Sequence, residues 1–374
     1  MAGTVKVFLF GTLRYPDLLN LVAGEELLQT PAQLPGWRVS GVKGHLFPIL
    51  VPDPDGAAEG VTITPSKGAL ARLVHYEDAF GYVPAEVTTL IDGVAETALI
   101  FGADHQPFTP EGDWSLDHWI AEAGLRTLIF ASEVMSYIGR FSGEALQFRR
   151  PLIEGRAESR VRAASMPPPL LGWDQRGDKV NVTAQVSDHA GYFLAETINL
   201  THPRFDGTQS DEITREVFVA ADAAIVLPYD PQRDRILLVE QFRMGPWRRG
   251  ATYPWMLEPV AGRIDPGESP EDCMRREAKE EAGITLRELI EIGAGYPTPG
   301  NSSEHFHIAC GLCDLPDGAE GLHGAAEEHE DIRTHILSYD AAMDLLSRGE
   351  ANNIPLVLAL VWLSRERSRL RASG

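Results

Sequence analysis

Cysteine is scarce: three in 374 residues, Cys273, Cys310 and Cys313. That excludes a disulfide-stapled scaffold and points to a reducing, cytoplasmic setting. Positive charge is also short. Lys and Arg number 33 against 54 Asp and Glu, a formal net charge of −21. This excludes general affinity for nucleic acid or an anionic membrane, since both reward positive surfaces. Long apolar runs are missing. The longest late one, Ile354 to Leu363, is too short to cross a bilayer. It reads as a core helix opened near its first turn by Pro355, with Arg365, Arg367, Arg369 and Arg371 complementing the helix C-terminus. The first residues carry one early Lys before a strand-like Val5 to Gly11 and show no signal-peptide cleavage pattern. There is no internal repeat and no low-complexity tract. The balance, 44% apolar and 8% aromatic, is ordinary for a soluble globular chain long enough for two or three domains.

The pattern divides the chain near its middle. From Val5 to about Ala103 it reads as short strands punctuated by Gly and Pro, and Ser115 to Gly139 reads as helix with a break near Gly124. Arg149 to Arg162 is charged and mixed. Met166-Pro-Pro-Pro169 is an extended, stiff linker. The expected division is therefore a first domain over 1–165, a linker over 166–178 and a second domain over 179–374. Beyond the linker, Val180 to Val186 and Gly191 to Leu200 alternate as half-buried strands, and Ala223 to Pro228 and Ile236 to Val239 are short apolar strands. Another strand covers Ser303 to Cys310, and Ser338 caps a helix to about Arg348. Cys310-Gly-Leu-Cys313 lacks a second ligand pair and reads as buried thiols.

Gly262 to Ile284, GRIDPGESPEDCMRREAKEEAGI, concentrates the chemistry. Ser269 is a good N-cap, Pro270 suits the first turn, Glu271 and Asp272 complement the dipole, and Gly283 suits a left-handed C-cap. On that helix Glu277, Glu280 and Glu281 lie three and four residues apart and share a face. Crowded like charges repel, unless hard divalent cations such as Mg²⁺ neutralise them and retain substrate phosphates as co-ligands. In so acidic a chain, a polyphosphate substrate also needs cations and local arginines.

Every fixed position of the Nudix box is filled by this stretch, and the surrounding chain resembles the ADP-ribose pyrophosphatases from about Asn199 to Leu363. The carriers are His202-Pro-Arg-Phe-Asp-Gly207, Arg215-Glu-Val-Phe218, Leu227-Pro-Tyr-Asp230, Val239-Glu-Gln-Phe-Arg243, Leu257-Glu-Pro-Val-Ala-Gly262, Tyr296-Pro-Thr-Pro-Gly300 with Glu304 close behind, and Glu328-His-Glu-Asp-Ile332. The resemblance implies a Mg²⁺-dependent hydrolase, with Mn²⁺ as the alternative ion, that splits ADP-ribose into AMP and ribose 5-phosphate. Another nucleoside diphosphate sugar is the alternative substrate. It implies a metal shell from the Ala261 carbonyl with Glu277, Glu281 and Glu330, and Glu328 as general base, with Glu280 counted among the catalytic carboxylates. Arg243 matches a pyrophosphate-contacting arginine, and Glu304 a substrate-binding position. Arg215 and Glu216 match residues that hold the adenosine end across a homodimer interface. Gly262, Glu268 and Arg276 are structural positions of the box, with Arg276 paired to Glu268. One departure is Ala220-Ala221, where many relatives have Arg-Gly.

The first half resembles γ-glutamylcyclotransferase-like domains, on Val7-Phe-Leu-Phe-Gly-Thr-Leu13, Gly44-His-Leu-Phe-Pro48, Glu59-Gly60 and Tyr76-Glu77 followed by Tyr82. This implies a site from the Gly11-Thr12-Leu13 loop and Glu77. Many members have Tyr-x-Arg where this chain has Tyr82-Val-Pro84, so a binding or dimer-forming role is expected rather than catalysis. The expected fold is α+β: a small N-terminal barrel-like domain, then a Nudix α/β/α sandwich preceded by a dimerisation sheet over about Val180 to Phe218. A ligand-sensing or scaffold protein dominated by the first domain is the competing reading. Fusions similar to this one are named for tellurite resistance in some bacteria, a phenotype without a mechanism.

Overall fold

The computed structural model describes residues 5–102, 108–167, 177–324 and 330–373. The chain forms two compact units, Met1–Pro168 and Pro169–Gly374. Of the expected linker, residues 168–176 lie outside the described residues.

In the first unit five strands close a barrel: β1 (Val7–Leu9), β2 (Thr30–Val42), β3 (His45–Ile63), β4 (Val83–Ile91) and β5 (Val94–Gly102), in the order β1-β3-β2-β4-β5. Helices α1 (Pro16–Ala23), α2 (Lys67–Asp78), α3 (Leu116–Ser136) and α4 (Glu144–Ala164) accompany it. Two of these strands, β2 and β3, are long where short ones were expected. β2 and β3 pair through irregularities at Pro35/Trp37 and Ser40/Val42, so the Gly and Pro residues mark bulges rather than strand ends. The expected break at Gly124 is absent. α3 runs through it with Gly124 buried, so tertiary packing outweighs the poor helix propensity of glycine. The mixed, charged Arg149–Arg162 is part of α4, with Pro151 inside it. Its charges are consumed between helices: Arg126 meets Glu158 at 2.6 Å, and buried Arg156 pairs with Glu133.

The second unit opens with a three-stranded antiparallel sheet, β6 (Asn181–Ala190), β7 (Leu194–Thr201) and β8 (Ile213–Val219). An eight-stranded mixed sheet follows. Its strands are β9 (Ala223–Asp230), β10 (Arg235–Phe242), β11 (Trp255–Glu258), β12 (Val260–Arg263), β13 (Glu288–Gly295), β14 (Phe306–Leu312), β15 (Leu322–His323) and β16 (Ile332–Ser338). Among the described strands of this sheet, β9 and β14 pair in parallel and the other pairs are antiparallel. The helices are α5 (Met244–Arg249), α6 (Pro270–Ala282), α7 (Tyr339–Arg348) and α8 (Ile354–Ser373).

The two-residue period of the central strands splits the core into two layers. Ala224, Val226, Leu237 and Val239 face α6 through Cys273, Met274, Ala278 and Ala282. Leu227, Tyr229, Ile236 and Leu238 face α7 and α8 through Ala342, Leu356, Ala359, Leu360 and Leu363. The CxxC pair straddles this division: Cys310 packs in the second layer and Cys313 in the first, both thiols free and pushed by burial to about 12. No described helix is long and apolar enough to cross a membrane.

Candidate active site

α6 is set by its ends. The Ser269 hydroxyl accepts from the Asp272 amide at 3.1 Å, and Gly283 closes the helix at φ 65°. Between them the apolar stripe buries one flank, and this drags Glu281 inside, at 1% exposure. The Ala261 amide donates to Glu281 Oε2 at 3.1 Å, so this carboxyl lies against the β12 backbone that carries the Ala261 carbonyl. Glu277 sits one turn earlier beneath Gly262. The approach is so close that a Cβ on Gly262 would stand 2.6 Å from Glu277 Cγ and nearer still to the carboxyl.

Burial raises both carboxyls. Glu277 is pushed to about 7 and Glu281 to about 8, by desolvation first, with the charge of Glu330 adding to each. Glu330, just before β16, therefore joins the same group. Gly324 lets it in, since a Cβ there would stand 2.8 Å from Glu330 Cβ. Arg243 also feels Glu281 and Glu330. Burial disfavours its charge, but Glu258 and these two carboxylates outweigh that and hold its pKa above the ordinary value.

The structure thus brings together Ala261, Gly262, Glu277, Glu281, Glu330 and Arg243. The oxygen donor set and the mutual repulsion fit a hard divalent cation. Among the described residues no three His, Cys, Asp or Glu side chains are gathered tightly enough to hold one as they stand. Glu277 Oε1 accepts from Arg276 Nη1 at 2.6 Å.

Arg276 organises the loop ahead of α6. It donates to Glu268 through Nε and Nη2, both at 2.9 Å, and to the Arg263 carbonyl at 3.1 Å. Burial alone would raise the Glu268 carboxyl, but this fork and the Asp265 amide hold it below its usual range. Arg276 also reaches Glu280 at 3.0 Å. Glu280 is half exposed and is drawn to this arginine, unlike the buried Glu281.

Other expected positions lie apart. Glu304 is half-buried and raised by burial, with Arg263 and Asp222 as its charged neighbours rather than the box carboxylates. Arg215 and Glu216 are exposed on β8, and no described contact joins them to the carboxylate group. Glu328 lies outside the described residues. Two residues escaped the sequence reading. Glu258 and Asn353 form a chain with Arg243, and the only prior signal was the place of Glu258 in the quoted Leu257–Gly262 motif.

In the barrel unit, β1 delivers Gly11 and the turn Thr12–Arg14, with Leu13 buried. α2 carries Glu77, buried and pushed to about 8 by desolvation alone. Among the described residues no charged partner offsets that burial, and Pro84 stands exposed in β4.

Comparison with known proteins matches residues 219–360 to the NUDIX domain family and residues 7–116 to the family described as gamma-glutamyl cyclotransferase, AIG2-like. The ADP-ribose pyrophosphatase of Escherichia coli strain K12 is 38% identical over 192 residues, 51% of this chain and 91% of that protein. The ADP-ribose pyrophosphatase of Haemophilus influenzae is 35% identical over 52% of this chain and 90% of its own length. A GDP-mannose pyrophosphatase of Escherichia coli O1:K1 is 32% identical over 46% of this chain and 88% of its own.

Proposed function

Because the chain belongs to the Nudix family of hydrolases, fused to a gamma-glutamyl cyclotransferase-like domain, we propose that it cleaves the pyrophosphate bond of ADP-ribose, releasing AMP and ribose 5-phosphate. The observation that carries this reading is the group of crowded carboxyls, Glu277, Glu281 and Glu330, with the Arg243 guanidinium beside them.

Glu277, Glu281, Glu330 and the Ala261 carbonyl would hold Mg²⁺. When bound, the ion neutralises phosphate charge and makes water a better nucleophile. Glu328 would take the proton of the attacking water as general base. Arg243 holds phosphoryl oxygens with a planar donor face. Arg276 acts on the loop, tying Glu268 and the Arg263 carbonyl to α6 so that Gly262 stays pressed on Glu277. Glu304 binds the substrate with Arg263 nearby, and Arg215 and Glu216 hold the adenosine end across a homodimer formed through the β6–β8 sheet.

A panel of ADP-ribose, ADP-glucose and GDP-mannose with Mg²⁺, read as nucleoside monophosphate release, tests the substrate. ADP-ribose should be preferred, and Glu281→Gln should lower kcat by at least about a hundredfold with the fold intact. Preference for GDP-mannose would move the assignment to another nucleoside diphosphate sugar. A Glu281→Gln protein with full turnover would remove the metal assignment.

A further inference from the structure

Arg243 is useful only if its guanidinium is held in one place, and the structure shows how that is done. The residue leaves β10 and opens α5, with its amide donating to the Pro254 carbonyl at 3.0 Å. Its Nε and Nη2 both donate to Oε2 of Glu258, at 2.8 and 2.6 Å. Glu258 ends β11, which pairs with β10 in the register Val239↔Glu258, so the sheet itself delivers the carboxylate. Its side chain is 7% exposed while that of Arg243 is 41% exposed. The carboxylate is therefore spent inside the protein, and the guanidinium faces outward, with Nη1 left without a protein partner among the described residues.

The second oxygen of Glu258 is also taken. Asn353 Nδ2 donates to Oε1 at 2.9 Å, and Asn353 Oδ1 accepts from the Leu356 amide at 3.3 Å at the start of α8. The amide orientation is thus set from both sides: one end caps a helix and the other anchors the acid. A chain runs from the α8 N-terminus through Asn353 and Glu258 to Arg243.

We propose that Glu258 is a positioning residue for the pyrophosphate-binding arginine, with Asn353 as its own support. This rests on the hydrolase reading for the role of Arg243. A long arginine side chain loses considerable rotamer freedom when it grips an anion, and prior fixation by a buried acid removes that loss from substrate binding. Glu258 itself touches no substrate. Its effect must therefore pass entirely through Arg243.

The test is a double-mutant cycle in the full-length chain with ADP-ribose and Mg²⁺. Glu258→Gln should lower kcat/KM at least about tenfold, most of it in KM, because a buried charged partner of a guanidinium is lost. In the Arg243→Ala background the same change should cost less than about twofold, since nothing remains to position. Asn353→Ser keeps a helix-capping oxygen but removes the amide donor to Glu258, and should give a smaller loss that also vanishes in the Arg243→Ala background. Thermal unfolding of each protein separates global destabilisation from mispositioning. Losses that multiply in the double variant, or full activity in Glu258→Gln, overturn the proposal. If the wild type turns over no ADP-ribose, the hydrolase reading fails separately. The cycle is then read as affinity for inorganic pyrophosphate by calorimetry, where the same non-additivity is expected and its absence overturns the positioning role.

Discussion

Gly262→Ala adds one methyl group to the tightest point of the site and removes no functional group. Its Cβ would lie 2.6 Å from Glu277 Cγ and closer to the carboxyl, where ordinary contact begins at 3.4 Å. Glu277 must therefore retreat by about 0.8 Å at Cγ and by more at its oxygens, or β12 must lift off α6. Retreat is opposed by Arg276, which holds Oε1 at 2.6 Å. Lifting β12 would strain its register with β9, Gly262↔Ala224, and the Ala261 contact to Glu281. Either route is an overpacking defect of about 1–3 kcal/mol in stability. The catalytic effect should be larger, because misplacing a reacting group by about 1 Å commonly costs about a hundredfold in rate. We expect kcat for AMP release from ADP-ribose to fall about a hundredfold, with Tm lowered by only a few degrees. Gly245→Ala is the control, since a Cβ there meets nothing within 4 Å. Turnover within about threefold of wild type in a folded Gly262→Ala protein would refute the close approach as the reason for this glycine and would weaken the placement of Glu277.

Further outcomes are expected. Mg²⁺ should raise the Tm of wild type measurably above that in a chelator, and should do so far less in Glu281→Gln, because an ion that binds only the folded state stabilises by mass action; equal gains would contradict the shared carboxyl site. Light scattering at micromolar concentration should give a dimer, and an active monomer would exclude the β6–β8 pairing. Glu77→Gln should leave ADP-ribose hydrolysis unchanged, and the wild type should release no 5-oxoproline from γ-glutamyl dipeptides; readily detected 5-oxoproline would make the chain bifunctional. The same variant carries a pH signature. The folded carboxyl sits near 8 against an ordinary 4.5, so its neutral form favours the fold. That contribution is complete below the ordinary value and disappears as pH rises through 8, so unfolding curves of wild type should weaken across this window. Glu77→Gln should lessen that decline, with the share of Glu277 and Glu281 remaining, and an unchanged slope would remove Glu77 as a contributor.

Much was legible in the residues alone, for local reasons. Ser269, Pro270 and Gly283 mark the ends of α6 because capping and backbone freedom act within a few residues, and the spacing of Glu277 and Glu281 follows from the helical period. The order of the Nudix motifs likewise needs no coordinates. Other features required the fold. Gly and Pro in the first half look like strand ends but mark bulges in β2 and β3, because long-range pairing supplies the hydrogen bonds that carry a strand through them. Gly124 does not interrupt α3, because it is buried there and packing outweighs its local propensity. Within the acidic run, the sequence could not say that Glu281 is buried while Glu280 turns to Arg276, since that depends on which flank of α6 meets the sheet. Nor could it join Arg243, Glu258 and Asn353. The last two stand 95 residues apart, and only the pairing of β10 with β11 and the docking of α8 bring their side chains into contact. Sequence determined the chemistry available to this protein, because composition and local periodicity are written in it; tertiary structure decided which of those groups act together, because burial and distance arise only when remote segments pack.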